Sequence, residues 1–239
     1  MSKIVKRGYS PNDTKEFSGN SVDSLFNAGR DLHYLLNRGY NIKGASTFVA
    51  NHYLLSERQR LALARAVAPE KSIHLRKCKE IKDIAPGSTV HIDGFNTIIT
   101  LEVALSDSLL LKCMDGTIRD LAELRGSYRL IDKTESAIAL IGKILENSMV
   151  GKAIFYLDAP VSNVGRLKKK IIDLLSPMSF DVQVEVIENV DTVLKNLDNV
   201  ITSDAIILDN CVSWINLNAR IIEEINEYYP YINFYASCT

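Results

Sequence analysis

Four aspartates stand where alternating strands and helices would deliver them together. Asp93 follows the apolar run 89–92 in Ile92-Asp93-Gly94-Phe95-Asn96, and Asp158 follows the run 153–157. Asp191 comes shortly after the run 182–186, and Asp204 closes Val200-Ile201-Thr202-Ser203-Asp204. In open α/β sheets ligands bind beyond the carboxyl ends of the strands, so the residue that follows each run is the one to weigh. Clustered carboxylates repel and raise one another's pKa, an arrangement that a divalent cation among them makes tolerable. Hard oxygen donors without His or Cys specify Mg²⁺ or Mn²⁺ rather than zinc. Such an ion can activate a water and stabilise the leaving oxygen of a phosphodiester. Any one of these aspartates reads more simply as a helix N-cap or turn residue; the argument lies in four at strand ends. Glu102, on the helix after Asp93, and Asp209, beyond Asp204, are further candidate metal ligands.

A second set could hold an anion. The segment Asp158-Ala159-Pro160-Val161-Ser162-Asn163-Val164-Gly165-Arg166 links a strand to a helix, where backbone N–H groups favour phosphate. Ser162, Asn163, Arg166 and Lys168 are its candidate contacts, although Ser162 or Asn163 is equally an ordinary N-cap. Asp115-Gly116 reads as a hairpin turn, and Arg119 beyond it could aim at phosphate or pair with a site carboxylate. Asn96 joins the same list. Cys78, Cys113, Cys211 and Cys238 have no close pairing and the histidines no ligand spacing, so buried reduced thiols are expected.

The elements that must position these residues fall into two groups. Residues 1–20 read as a loose polar arm. Apolar positions recur at helical spacing from Val22 to Leu36, with a stop at Asn37-Arg38-Gly39. A second helix is expected over 43–52, and a third, opened by a Ser56/Gln59 capping box, runs to Val67. This small helical domain, 21–70, is helix-turn-helix-like, and Arg58, Arg60 and Arg65 on its third helix are candidate nucleic-acid contacts or solvated surface. Residues 71–87 read as a basic connector with Arg76, Lys77, Lys79 and Lys82.

Beyond Pro86-Gly87 the pattern changes. Strands are expected at 89–92, 109–114, 153–157, 182–186, 200–202 and 232–235, with helices near 134–147, 163–175, 190–197 and 213–227. Strands alternating with helices predict a mostly parallel sheet sandwiched by helices over 88–239.

Composition bounds the rest. The 239 residues are 46% hydrophobic and 24% charged, a globular balance that needs no disulfide staples. No apolar run reaches membrane-spanning length and the start has no signal-peptide core, so a cytoplasmic protein is expected. The net charge of −1 hides an asymmetry: residues 1–83 carry +7 and the remainder −8. That division suits an anion-binding module joined to a cation-holding one.

The ordered motifs Ile92-Asp93-Gly94-Phe95-Asn96, Phe155-Tyr156-Leu157-Asp158, Val190-Asp191-Thr192-Val193-Leu194 and Val200-Ile201-Thr202-Ser203-Asp204 resemble those of NYN nucleases, a branch of the PIN-like superfamily. The likeness covers residues 88–210. The stretch Asp31-Leu32-His33-Tyr34-Leu35-Leu36-Asn37-Arg38-Gly39-Tyr40 is similar to the helical module of a prokaryotic family, domain of unknown function 434. The resemblance implies a metal-dependent ribonuclease fold with Asp93, Asp158, Asp191 and Asp204 as its acidic set. The inserted hairpin 115–120 and the loop 159–165 depart from those nucleases.

The expectation is a Mg²⁺- or Mn²⁺-dependent endoribonuclease acting on RNA, with DNA as an alternative partner. Asp93, Asp158 and Asp204 would hold metal, and Asp191 would complete the site or position water. A non-catalytic nucleic-acid-binding regulator and a phosphatase or phosphotransfer enzyme are the rivals. No membrane partner is expected, and the oligomeric state is left open, a homodimer included.

Overall fold

The computed structural model describes residues 5–122, 126–226 and 229–237. Its N-terminal region is helical: α1 (Asp13–Glu16), α2 (Gly19–Asn37), α3 (Ile42–His52), α4 (Glu57–Ala66) and α5 (Glu70–Lys79). Leu25, Ala28, Leu32 and Leu36 recur every three or four residues, so α2 buries a single stripe. Asn41 caps α3 by accepting from the Gly44 N–H, and the expected Ser56/Gln59 capping box opens α4. The basic connector is instead largely α5: Pro69 closes one helix and serves as N-cap of the next. Scattered charge hid its periodicity, and its one buried residue is Arg76.

The α/β region is built of β1 (Thr89–Asp93), α6 (Gly94–Leu105), β2 (Leu110–Lys112), β3 (Ile118–Asp120), α7 (Thr134–Asn147), β4 (Lys152–Asp158), α8 (Val164–Leu175), β5 (Asp181–Ile187), α9 (Val190–Leu194), β6 (Val200–Ile201), α10 (Ala205–Asn210), β7 (Trp214–Ile215), α11 (Leu217–Ile225), β8 (Ile232–Asn233) and α12 (Phe234–Ser237). Five strands form one wholly parallel sheet in the order β5-β4-β1-β6-β7. Alternation along the strands sorts side chains to two faces. Ile92, Phe155, Leu157, Ile201 and Ile215 enter the core beneath α6, α7, α8 and α11, while Tyr156, Val200 and Trp214 pack under α9 and α10. The expected sandwich is therefore present.

Two expected strands leave that sheet. β2 pairs antiparallel with β3 across the Asp115-Gly116 turn and parallel with β8, giving a separate three-stranded sheet. Leu110 and Ile118 enter the α/β core, whereas Leu111, Cys113, Ile232 and Phe234 join the core of the helical region. The small sheet is thus a shared wall. Trp214-Ile215, expected at the start of a helix, is a strand because it completes the sheet edge beside β6.

The first twenty residues are not a loose arm throughout. Arg7 donates to Glu102 and to the Arg129 carbonyl, Arg58 reaches the Gly8 carbonyl and Asp13, and Phe17 is buried. Cys113 and Cys211 are buried as expected but Cys78 is exposed, and Cys238 lies outside the described residues. Among the described residues no helix is long and apolar enough to cross a membrane.

Candidate functional site

The strand order decides where the chemistry can sit. From β1 the chain moves outward through β4 and β5, then returns to the other side of β1 as β6 and β7. The crevice at the carboxyl ends of β1 and β6 is the point where the winding reverses, the usual ligand position in such sheets. Asp93 ends β1 and Thr202-Ser203-Asp204 follows β6, so both motifs flank that crevice. Asp158 ends β4, and Asp191 lies in the first turn of α9.

Local hydrogen bonds lock these motifs together. The Thr202 hydroxyl donates to the Asp93 carboxylate at 2.8 Å. The Ser203 N–H and hydroxyl both donate to Asn96 Oδ1, at 2.8 and 2.9 Å. Asp204 is the N-cap of α10, accepting from the Ile206 and Ile207 N–H groups. It is therefore the helix N-cap that the sequence allowed, and it caps that helix at the edge of the crevice. Gly94 is obligatory for packing: a Cβ there would meet Leu157 Cδ2 at 2.5 Å and the Tyr156 carbonyl at 3.0 Å. That close crossing of α6 over β4 is the physical content of the Asp-Gly-Phe-Asn motif.

The electrostatics join the acids. Burial, together with the charges of Asp204 and Asp191, pushes the Asp93 carboxyl up to about 7 despite the Thr202 hydrogen bond. Asp191 is raised by its partial burial and by the charges of Asp204 and Asp158. Asp191 is thus influenced by Asp204 and Asp158, and Asp93 by Asp204 and Asp191, along one sheet edge. Among the described residues, however, no three acidic, His or Cys side chains form a ready metal cage.

Two proposed ligands are engaged elsewhere. Glu102 projects into the core, where Arg7, Tyr128 and Thr134 all donate to its carboxylate. It stands nine residues along α6 from Asp93, and its side chain is fully buried against Arg7. Asp209 forms a two-pronged pair with Arg76, at 2.7 and 2.9 Å. Each is thus withdrawn from the metal set because a cationic side chain already satisfies it.

The anion candidates divide similarly. Arg119 is buried and spends its guanidinium on the Ser203 carbonyl, the Arg65 carbonyl and Asp115. It supports the Thr-Ser-Asp loop and also lines a pocket beside α4, with its guanidinium already bonded within the chain. Arg58 is taken up by Asp13, Gly8 and Leu121, and Arg60 by Leu55, Asn51 and Ala50. Guanidinium groups with five donors close helix ends and loops well, which neither spacing nor charge reveals in sequence. The Ser162 N–H donates to the Gly126 carbonyl, and Asn163, with φ +64°, donates to the Tyr128 carbonyl. That loop is stapled to 126–128 instead of opening a ring of free N–H groups. Arg166 is exposed on α8, with Lys168 part-buried beside it.

Arg65 alone of the three α4 arginines borders the crevice. A pocket of about 410 Å³ opens between α4, α6, β3 and the start of α10, and Arg65, Asn96, Asp120 and Asp204 all line it. Asp120 was not singled out by sequence, since it reads there as one half of a polar hairpin. In the folded chain it is buried, held by the Thr100 hydroxyl and the Ala122 N–H.

A parallel five-stranded sheet with acids at its reversal point, under a helical module that shares a wall with it, defines a two-part α/β protein. The chain belongs to the family described as domain of unknown function (DUF5616), which matches residues 81–220. Residues 24–79 match the family described as protein of unknown function (DUF434). The seam between the two falls at Glu80, where α5 ends. An uncharacterised protein of Methanocaldococcus jannaschii, MJ0935, is 38% identical over 208 residues, covering 85% of this chain and 99% of its own length. No solved structure matches.

Proposed function

We propose that the chain is a divalent-metal-dependent endoribonuclease whose α/β region is PIN/NYN-like. The observation that carries this reading is a run of acids along the carboxyl edge of a parallel sheet, in which Asp204 and Asp191 act on Asp93, and Asp204 and Asp158 act on Asp191. Asp93 supports a cation there, because its burial and its acidic neighbours leave negative charge uncompensated. Asp93, Asp158 and Asp204 would hold Mg²⁺ or Mn²⁺, with water completing a site that lacks a tight cage, as Mg²⁺ commonly allows. A bound ion of this kind supplies Lewis-acid stabilisation and a more acidic water.

The chain's own residues have definable tasks. The Thr202 hydroxyl orients the Asp93 carboxylate, and Arg119 and Asn96 hold the Ser203 backbone so that Asp204 keeps its place. Asp191, exposed and raised above the usual carboxylate range, is suited to accept a proton from an attacking water. Arg65 is the cation placed to meet phosphate.

The test is cleavage of structured and unstructured RNA in Mg²⁺ and in Mn²⁺ by the wild type and by Asp204→Asn. The variant is expected to lose cleavage while keeping RNA affinity within a few-fold, since removing a carboxylate beside phosphate does not weaken charge-driven binding. Wild-type protein that binds RNA without cutting it would sink the nuclease in favour of a regulator. Turnover of a small phosphate ester in place of RNA would make the chain a phosphatase.

A further inference from the structure

The pocket beneath α4 contains more than the acidic edge requires. Its floor carries Asn96 and Asp204 from the α/β region, its side Asp120 from the inserted hairpin, and its roof Ala64 and Arg65 from the helical module. Arg65 is anchored through one nitrogen only: Nη1 donates to the Asp120 carbonyl at 2.5 Å and to the Ala122 carbonyl at 3.4 Å. About a third of its side chain (32%) is open, and Asp120 Oδ1 stays 3.6 Å away. Among the described residues nothing accepts from its Nε or Nη2. Asn96 is similarly half-used, since both Ser203 donors take its Oδ1 and its Nδ2 group has no acceptor among the described residues. Two residues with unused donors, from separate parts of the chain, thus border one cavity.

Ala64, Phe95, Ile99 and Ala122 supply an apolar part of the lining, and Arg119 and Ser203, whose polar groups are bonded within the chain, join it. Donors for an anion beside an apolar patch, in about 410 Å³, match one small ligand with a charged end and an apolar body. We propose that this pocket receives one unpaired nucleotide unit, its phosphate gripped by Arg65 and Asn96 and its base laid against Ala64, Ile99 and Ala122. A duplex could fill it only by unpairing a base, a cost that a single strand or a free nucleotide does not bear. The helical module is then a wall of the binding site rather than a separate reader of nucleic acid. This rests on the proposed function for the side of the nucleotide that faces Asp204, but occupation of the pocket needs no hydrolysis.

The experiment uses the full-length protein in excess chelator, which suppresses metal-dependent cleavage, with UMP, AMP, inorganic phosphate, a 5′-phosphorylated RNA pentamer and the same strand in a duplex as probes. The mononucleotides or the pentamer should bind well above inorganic phosphate, and the duplex should bind weakly. Arg65→Ala should weaken binding at least about tenfold, as expected for losing a charge-assisted hydrogen bond, and Arg65→Lys should weaken it less. Ala64→Trp, built on an exposed α4 position, should block the pocket with the melting temperature unchanged, so it carries the test if Arg65→Ala fails to fold. UMP binding as tightly as the pentamer would assign the pocket to free nucleotides, and a tighter pentamer to strand ends; either upholds the proposal. Unchanged affinity in both Arg65→Ala and folded Ala64→Trp would overturn it, as would phosphate binding as well as UMP. Binding without any cleavage in Mg²⁺ or Mn²⁺ would remove the nuclease and leave the pocket standing. RNA cleavage whose KM neither variant alters would do the reverse.

Discussion

Asp93 illustrates how one residue can be stable and strained at once. Its carboxyl is buried, hydrogen-bonded by Thr202 and pressed upward by two neighbouring acids. A divalent ion would relieve that pressure, so millimolar Mg²⁺ or Mn²⁺ should raise the melting temperature of the wild type by ligand linkage. Asp93→Asn should show little of that shift; equal shifts in both proteins would deny a shared site. Glu102 should separate from this behaviour. Glu102→Ala leaves Arg7, Tyr128 and Thr134 without their acceptor, at about 3 kcal/mol of stability, yet its metal-induced shift should match the wild type. Gly94→Ala should lower stability by about 1–3 kcal/mol, because the new methyl group meets Leu157 and the Tyr156 carbonyl. Urea denaturation measures both.

At the scale of elements, α5, the β2–β3 hairpin and α10 are joined by one ionic chain, buried at Arg76 and Asp115 and partly open at Asp209. Arg76 pairs with Asp209 and Asp115, and Arg119 pairs with Asp115 and holds Ser203. Burial alone would push the Asp115 carboxyl up, but Arg119 and Arg76 hold it below the usual range. A carboxylate whose pKa is lowered on folding stabilises the fold above its unfolded value of 3.8, and that contribution fades as pH falls through the folded value. Denaturant titrations of the wild type at pH 7 and pH 3 should show this loss. Asp115→Asn should be less stable at pH 7 and lose less on acidification. An equal loss in both proteins would mean that other carboxylates dominate the acid response.

The whole molecule is less divisible than its charge pattern. The core of the helical region includes Leu111, Cys113, Ile232 and Phe234, all far along the chain. A fragment of residues 1–83 would leave that face open, so it should show no cooperative thermal transition by circular dichroism, in contrast to the intact chain. On the proposed reading, binding of RNA by the intact protein should weaken with salt, because exposed Lys43, Lys71 and Lys77 keep a basic surface on residues 1–83 after Arg58, Arg60 and Arg76 are bonded within the chain. A salt-independent affinity would detach nucleic acid from the charge asymmetry.

Much of the architecture was legible without coordinates. Periodicity marked α2, α7 and α8, a capping box marked α4, and the runs ending in Asp93 and Asp158 marked β1 and β4, because local hydrogen bonding and burial alternate with fixed periods. The positions of Asp93 and Asp158 at the sheet edge were legible for the same reason, since strand ends locate that edge. Partnership was not. Only the fold decided that Glu102 and Asp209 answer to arginines, that Arg58 and Arg60 close loops, and that β2 and β8 leave the main sheet. Those choices depend on residues that lie dozens to more than a hundred positions apart in the chain, or on backbone carbonyls that carry no sequence signature. Asp120 and Arg65 came to border one pocket in that way, through the docking of a hairpin under a helix that no local pattern foretells.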